Sequence, residues 1–158
     1  MPKSQILLVD DDQLILGALT EILREQGYLT QPATSGDVAL VLLNEGVPFR
    51  LLITDIFMPG LLDGFALARH ARDLFSGISI IYTTAHPQVA HIRGHSAPYG
   101  RVLVKPFEIN ALLVAISAAM GDCLHGDCSM SAGVSRSQSR DAWRTDHQGG
   151  VGGCHGTQ

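Results

Sequence analysis

Four short apolar runs along the chain each stop at residues that carry chemistry. Ile6-Leu7-Leu8-Val9 runs into Asp10-Asp11-Asp12, and Leu51-Leu52-Ile53-Thr54 runs into Asp55. Ile78-Ser79-Ile80-Ile81-Tyr82 ends in Thr83-Thr84-Ala85, and Val102-Leu103-Val104 ends in Lys105-Pro106. Runs this short that barely alternate read as strands buried on both faces, as in a parallel sheet. The segments between them have helical periodicity. After Asp12, the residues Leu14, Ile15, Ala18, Leu19, Ile22 and Leu23 recur at helical spacing until Gly27. Residues 28–32 predict a further short strand, and Pro32 suits a sheet edge. Ser35 is placed to cap a second helix through about Asn44, before a loop marked by Gly46 and Pro48. Asp63-Gly64 opens a helix carrying Phe65, Leu67, Ala68, Ala71 and Leu74 that closes near Ser76-Gly77. Pro87, Gly94, Pro98 and Gly100 leave room only for a short helix over residues 88–93. Ile109, Leu112, Leu113, Ile116 and Met120 mark the last helix. Five strands alternating with five helices within residues 1–120 imply an α/β domain, its parallel sheet covered by helices on both faces.

The pattern stops at Gly121. Residues 121–158 hold Gly, Ser, His and Cys, with the one tryptophan, Trp143, but no apolar run able to build a second core. The expected organisation is therefore a domain over 1–120 and a flexible tail over 121–158. A formal net charge of -4 gives no electrostatic reason to expect nucleic-acid binding, which needs a basic face. Met1-Pro2-Lys3-Ser4-Gln5 leads directly into the first strand without the apolar region of a signal peptide. No segment reaches the ~20 apolar residues of a membrane span. The expected location is the cytoplasm. The three cysteines, Cys123, Cys128 and Cys154, all fall in the tail, and an odd count argues against a disulfide framework.

Ligands of open α/β sheets sit at the carboxyl ends of the strands. Asp10 and Asp11 at one strand end and Asp55 at another are placed to converge on a hard cation. Mg²⁺ takes oxygen ligands and suits two or three carboxylates with a backbone carbonyl. Without a cation, clustered acids repel one another. Lys105 brings a fixed positive charge from a third strand end, and Thr84 brings a hydroxyl, with Thr83 as the competing residue. Cation, ammonium and hydroxyl together match the oxygens of a phosphoryl group in transfer. The Asp55 carboxylate is then the candidate nucleophile, forming an aspartyl phosphate. Asp12 reads as a helix-start residue, since acids favour helix N-termini.

In these pieces the chain resembles the receiver domain of two-component response regulators. The resemblance rests on Val9-Asp10-Asp11-Asp12, Thr54-Asp55 with Met58-Pro59 and Asp63-Gly64, Thr84-Ala85, and Lys105-Pro106-Phe107. They stand in the family's order over residues 5–120. The resemblance implies a flavodoxin-like, doubly wound sheet of order 2-1-3-4-5. It implies that Asp55 accepts phosphate from a histidine kinase or a histidine phosphotransfer protein. It implies that Mg²⁺ is held by Asp11 directly, Asp10 mostly through water, Asp55, and Phe57 through its carbonyl, while Thr84 and Lys105 bind phosphoryl oxygens. It places Phe57 and His86 beside the phosphorylation site. Two features depart from the family pattern. The loop over residues 58–64 is one residue longer, as in receivers of hybrid kinases, and Val102 replaces the usual switch aromatic.

The expected function is thus a phosphoacceptor receiver acting by protein contact or onward phosphotransfer, not an enzyme with a separate substrate. One alternative is a small aspartate-nucleophile phosphatase of the haloacid-dehalogenase type. Those enzymes carry Asp-x-Asp-x-Thr after the first strand, where this chain has Asp10-Asp11-Asp12-Gln13-Leu14. Another is a phosphorylation-independent scaffold. The spacing of His91 and His95 and the Cys123/His125/Cys128 and Cys154-His155 groups also permit metal binding, but their Gly- and Pro-rich settings favour solvated loops.

Overall fold

Every position of the central strand is buried, because both faces of the sheet are covered. The computed structural model describes residues 3–88 and 100–121. Its strands are β1 (Lys3–Val9), β2 (Tyr28–Ala33), β3 (Leu51–Asp55), β4 (Ser79–Thr84) and β5 (Gly100–Val104). Its helices are α1 (Gln13–Glu25), α2 (Gly36–Asn44), α3 (Gly64–Leu74) and α4 (Ile109–Met120). Each strand pairs in parallel with its neighbours, in the order β2-β1-β3-β4-β5. That is the expected doubly wound order. Four of the five expected helices lie among the described residues. Beyond Gln88, the short helix expected over 88–93 lies outside them, as do the His91/His95 pair, the tail cysteines and Trp143. The chain divides into two units at Gly126, and all described residues belong to the first. Among these residues no helix is long and apolar enough to cross a membrane.

Successive strand side chains point to opposite faces, and the apolar runs feed two cores accordingly. Leu7, Val9, Leu52, Ile80 and Tyr82 pack with Ala39 and Leu43 of α2 and with Phe65, Leu67, Ala68 and Ala71 of α3. Ile6, Leu8, Leu51, Ile53 and Ile81 pack with Leu16, Leu19 and Leu23 of α1 and with Leu112, Ala115 and Ile116 of α4. Serving both layers is why these strands lack polar alternation. β2 is an edge strand, which tolerates Pro32 opposite Leu8.

The helix starts follow their capping residues. Asp12 Oδ1 accepts from the Leu14 and Ile15 amides at 2.9 and 3.3 Å. Ser35 Oγ accepts from Val38 N at 3.2 Å, and Asp63 Oδ1 from Ala66 N at 2.7 Å. Each satisfies amides that have no partner within the helix. At the far end of α4, Ser79 Oγ donates to the Ala119 carbonyl at 2.7 Å and Arg50 Nη2 to the Met120 carbonyl at 3.3 Å. Gly121 closes that helix in the left-handed region, at φ 68°.

Two sequence expectations need correction, at Thr83-Thr84 and at Gly100, and the buried face of α1 is a point that helical spacing left open. The buried face of α1 is Leu16, Leu19, Thr20 and Leu23, while Leu14 is 85% exposed and Ala18 is also exposed. Both settings have helical spacing, so periodicity alone did not separate them. Thr83 and Thr84 belong to β4 rather than following it. Gly100 starts β5 instead of ending a loop, because it sits opposite Ile80, where a Cβ would come within 2.5 Å of the Ile80 carbonyl oxygen.

Candidate functional site at the carboxyl edge of the sheet

Parallel register brings the expected chemistry to one edge. Asp10 follows the last residue of β1, Asp55 ends β3, Thr84 ends β4 and Lys105 follows β5. β1 lies beside β3, and β3 beside β4. Backbone bonds tie these ends together. Asp10 N donates to the Ala33 carbonyl at 3.2 Å, Ile56 N to the Thr83 carbonyl at 2.9 Å, and Lys105 N to the Thr84 carbonyl at 2.7 Å.

The Lys105 ammonium is the hub. Its Nζ lies 2.6 Å from Asp10 Oδ2 and 2.6 Å from Asp55 Oδ2. Both aspartates are buried. Burial alone would lower the Lys105 pKa. Hydrogen bonds to Asp10 and Asp55, and the charges of both, outweigh that and raise it above its ordinary 10.5. The other carboxylate oxygens are held by the main chain: Asp12 N donates to Asp10 Oδ1 at 3.0 Å, and Phe57 N to Asp55 Oδ1 at 3.0 Å. Exposed Asp11 joins them, so that Asp10, Asp11 and Asp55 offer oxygens all within 4.8 Å of one another. Three carboxylates against one ammonium leave a formal excess of two negative charges, and an oxygen-lined site of that charge suits a divalent hard cation.

Thr84 is fully buried, and its Oγ1 accepts from His86 N at 3.1 Å. Phe57 is 51% exposed, and its ring meets the His86 ring edge-on, centroids 5.1 Å apart and planes at 88°. The loop between β3 and α3 is set by glycines. A Cβ on Gly64 would collide with the Asp55 carbonyl oxygen, so α3 starts directly against the Asp55 backbone. Gly60 sits at φ 128°, and Gly36 leaves space for the Leu62 carbonyl, which would lie 2.6 Å from a Cβ there. The longer loop thereby seats on the start of α2 and leaves Leu61 94% exposed.

Sequence reasoning grouped Asp10, Asp11, Asp55, Thr84 and Lys105 at one edge, where the structure has them. It missed that Asp10 grips Lys105 as tightly as Asp55 does. No local pattern reveals that contact, which spans 95 residues. Val102 is partly buried and packs against the core on the α2/α3 face.

Fold and site define an open α/β domain with an acidic, lysine-clamped pocket at the carboxyl ends of its strands. The response regulator receiver domain matches residues 6–117, and the chain belongs to that family. It is 36% identical over 110 residues to the response regulator receiver protein CpdR of Brucella abortus, covering 69% of this chain and 90% of CpdR. It is 34% identical over 115 residues to PetR of Rhodobacter capsulatus, covering 73% of this chain but only 48% of PetR, so the match spans about half of that relative's length. Among solved structures, the response regulator TrrA of Thermotoga maritima, in complex with Mg²⁺ and BeF, superposes with a TM-score of 0.64 at 30% identity, covering 74% of this chain and 99% of TrrA.

Proposed function

We propose that this receiver domain is phosphorylated on Asp55 in a Mg²⁺-dependent reaction, with a histidine kinase or histidine phosphotransfer protein as donor. The observation that carries this reading is the pairing of Lys105 with both Asp10 and Asp55, beside a third carboxylate, Asp11. Asp55 is held by the Phe57 amide on one oxygen and by Lys105 on the other, which orients a carboxylate at a strand end. In the transfer, an Asp55 oxygen attacks phosphorus, the phosphorus–nitrogen bond of the donor phosphohistidine breaks, and the electron pair leaves with the imidazole. Lys105 and the Thr84 hydroxyl stabilise charge on the phosphoryl oxygens. Asp10, Asp11, Asp55 and the Phe57 carbonyl would hold Mg²⁺, which supplies charge neutralisation at those oxygens. TrrA's complex with Mg²⁺ and BeF supports this ligand chemistry.

The domain itself is residues 1–120, with 121–158 as an appended tail. It acts in the cytoplasm and passes its signal by protein contact or onward phosphotransfer, and phosphorylation biases a two-state surface. Membership of the receiver family disfavours the haloacid-dehalogenase reading. The test is incubation with acetyl phosphate and Mg²⁺, followed by intact mass and mapping of the modified residue. One phosphoryl group on Asp55, absent from Asp55→Asn, is expected. Undiminished labelling of Asp55→Asn would refute the assignment.

A further inference from the structure

Among the described residues β2 pairs only with β1, and a cleft of about 470 Å³ opens along its outer side, lined by Gln5, Arg24, Gly27 and residues 28–31. The cleft follows the first part of β2, whereas the acidic edge begins beyond its last residue, Ala33. The Ala33 carbonyl accepts from Asp10 N, so the Ala33 peptide groups turn toward β1. These directions alternate along a strand. Leu29 and Gln31 therefore also bond toward β1, while Thr30 and Pro32 face outward. Thr30 offers a further strand both an amide and a carbonyl, and Pro32 only a carbonyl. Two side chains of the cleft lack partners among the described residues. Arg24 is exposed and forms no ion pair, although Glu21 and Glu25 share its helix. Thr30 is only 7% exposed, and its Oγ1 has no hydrogen-bond partner. A buried hydroxyl left unpaired is unfavourable, and valine would fill the same space without that cost.

We infer that this cleft docks an extended segment of a partner protein, which adds to β2 as a further strand and brings an acidic side chain to Arg24. Main-chain bonds to Thr30 hold the segment, as in strand addition to a sheet edge. A carboxylate on the Arg24 guanidinium forms a charge-assisted pair and fixes the segment's position. Rotation about χ1 exchanges the Thr30 methyl and hydroxyl, and brings the oxygen out to a segment that offers it a partner. The carboxamides of Gln5 and Gln31 both donate and accept, so they match a peptide backbone. Pro32 has no N–H and ends the pairing, which keeps the added strand short. A second copy of this chain does not suit the site, because pairing β2 with β2 would bring two Arg24 side chains to one cleft. The cleft lies apart from the acidic edge, so the inference does not depend on which residue accepts phosphate.

The experiment titrates the full chain with two pools of acetylated, amidated pentapeptides and follows backbone amides by NMR. Both pools are randomised except at the centre, which is Glu in one and Lys in the other. The Glu pool is expected to shift the Leu29, Thr30 and Gln31 amides and to bind more tightly than the Lys pool. Arg24→Glu should reverse that preference. Thr30→Val should be as stable as the parent or more so, yet bind the Glu pool about two- to tenfold more weakly, the worth of one hydrogen bond. A Glu pool with N-methylated backbones should not bind. No shift at residues 29–31 with either pool overturns the proposal. So does an Arg24→Glu variant that keeps the parental preference. Unchanged binding by Thr30→Val overturns it and makes the hydroxyl a core group only. Equal binding of the N-methylated pool overturns strand addition. Dimers of the parent in sedimentation that Arg24→Glu or Thr30→Val dissolves also overturn it, since β2 would then be an edge for self-association.

Discussion

Lys105 Nζ sits 2.6 Å from Asp55 Oδ2, and the same ammonium, at the same distance, holds Asp10. One cation thus compensates two buried carboxylates. Lys105→Met should leave them facing each other unpaired and cost about 3 kcal/mol, as breaking a buried ion pair does. Saturating Mg²⁺ should recover much of that loss and stabilise Lys105→Met more than the parent. Urea unfolding with and without Mg²⁺ measures both. Equal stabilisation of the two proteins would mean that lysine and metal do not share the carboxylates.

The same contact sets an alkaline limit. The folded-state pKa of Lys105 is raised above 10.5. Its stabilising contribution is therefore complete below the unfolded value and disappears as pH rises through the folded one. Stability lost on going to Lys105→Met should stay constant across neutral pH and shrink only above 10.5. Paired unfolding curves along a pH series check this, and a difference that shrinks near neutrality would contradict it.

Asp11 is the exposed member of the acid cluster and the one outside the lysine clamp. Asp11→Ala should weaken Mg²⁺ binding about tenfold, or ~1.4 kcal/mol, through loss of an oxygen ligand. Metal-free stability should be equal or higher, since a like charge is removed. Calorimetric titration with Mg²⁺ tests the first statement and metal-free unfolding the second.

At Gly64 a methyl group has nowhere to go, because the Asp55 carbonyl oxygen occupies its place and Ile56 Cα lies 3.0 Å away. Gly64→Ala should therefore cost about 1–3 kcal/mol although alanine favours helix. It should also slow acetyl phosphate labelling by displacing Asp55. A variant as stable and as readily labelled as the parent would show that α3 can retreat without disturbing the acid.

A chain ending at Gly121 should keep its urea midpoint and its labelling. The last carbonyls of α4 are satisfied by Ser79 and Arg50, both inside the domain. Loss of folding on truncation would show that residues 122–158 contribute packing.

Much of this was legible because burial on two faces and capping are local signals. The run ending at Asp55 needs apolar residues on both sides, and Ser35 and Asp63 announce their helices through spacing alone. What stayed hidden depends on register. Leu14 and Leu16 are both compatible with a helical stripe, and only docking of α1 against the sheet selects Leu16. Gly100 looks like a loop residue until Ile80 is set opposite it. The grip of Asp10 on Lys105 exists only once β1 and β5 are assembled in one sheet.

The closure of α4 at Arg50 and Ser79 also has a practical consequence. These residues precede β3 and begin β4, so Gly121 emerges at the amino-terminal edge of the sheet. A helix of 12 residues spans ~18 Å, roughly the distance from that exit to the edge bearing Asp55. A surface anchor or fluorescent reporter joined behind Gly121 would start at the opposite pole from an incoming phosphodonor. Immobilising the protein there leaves its acidic edge facing solution.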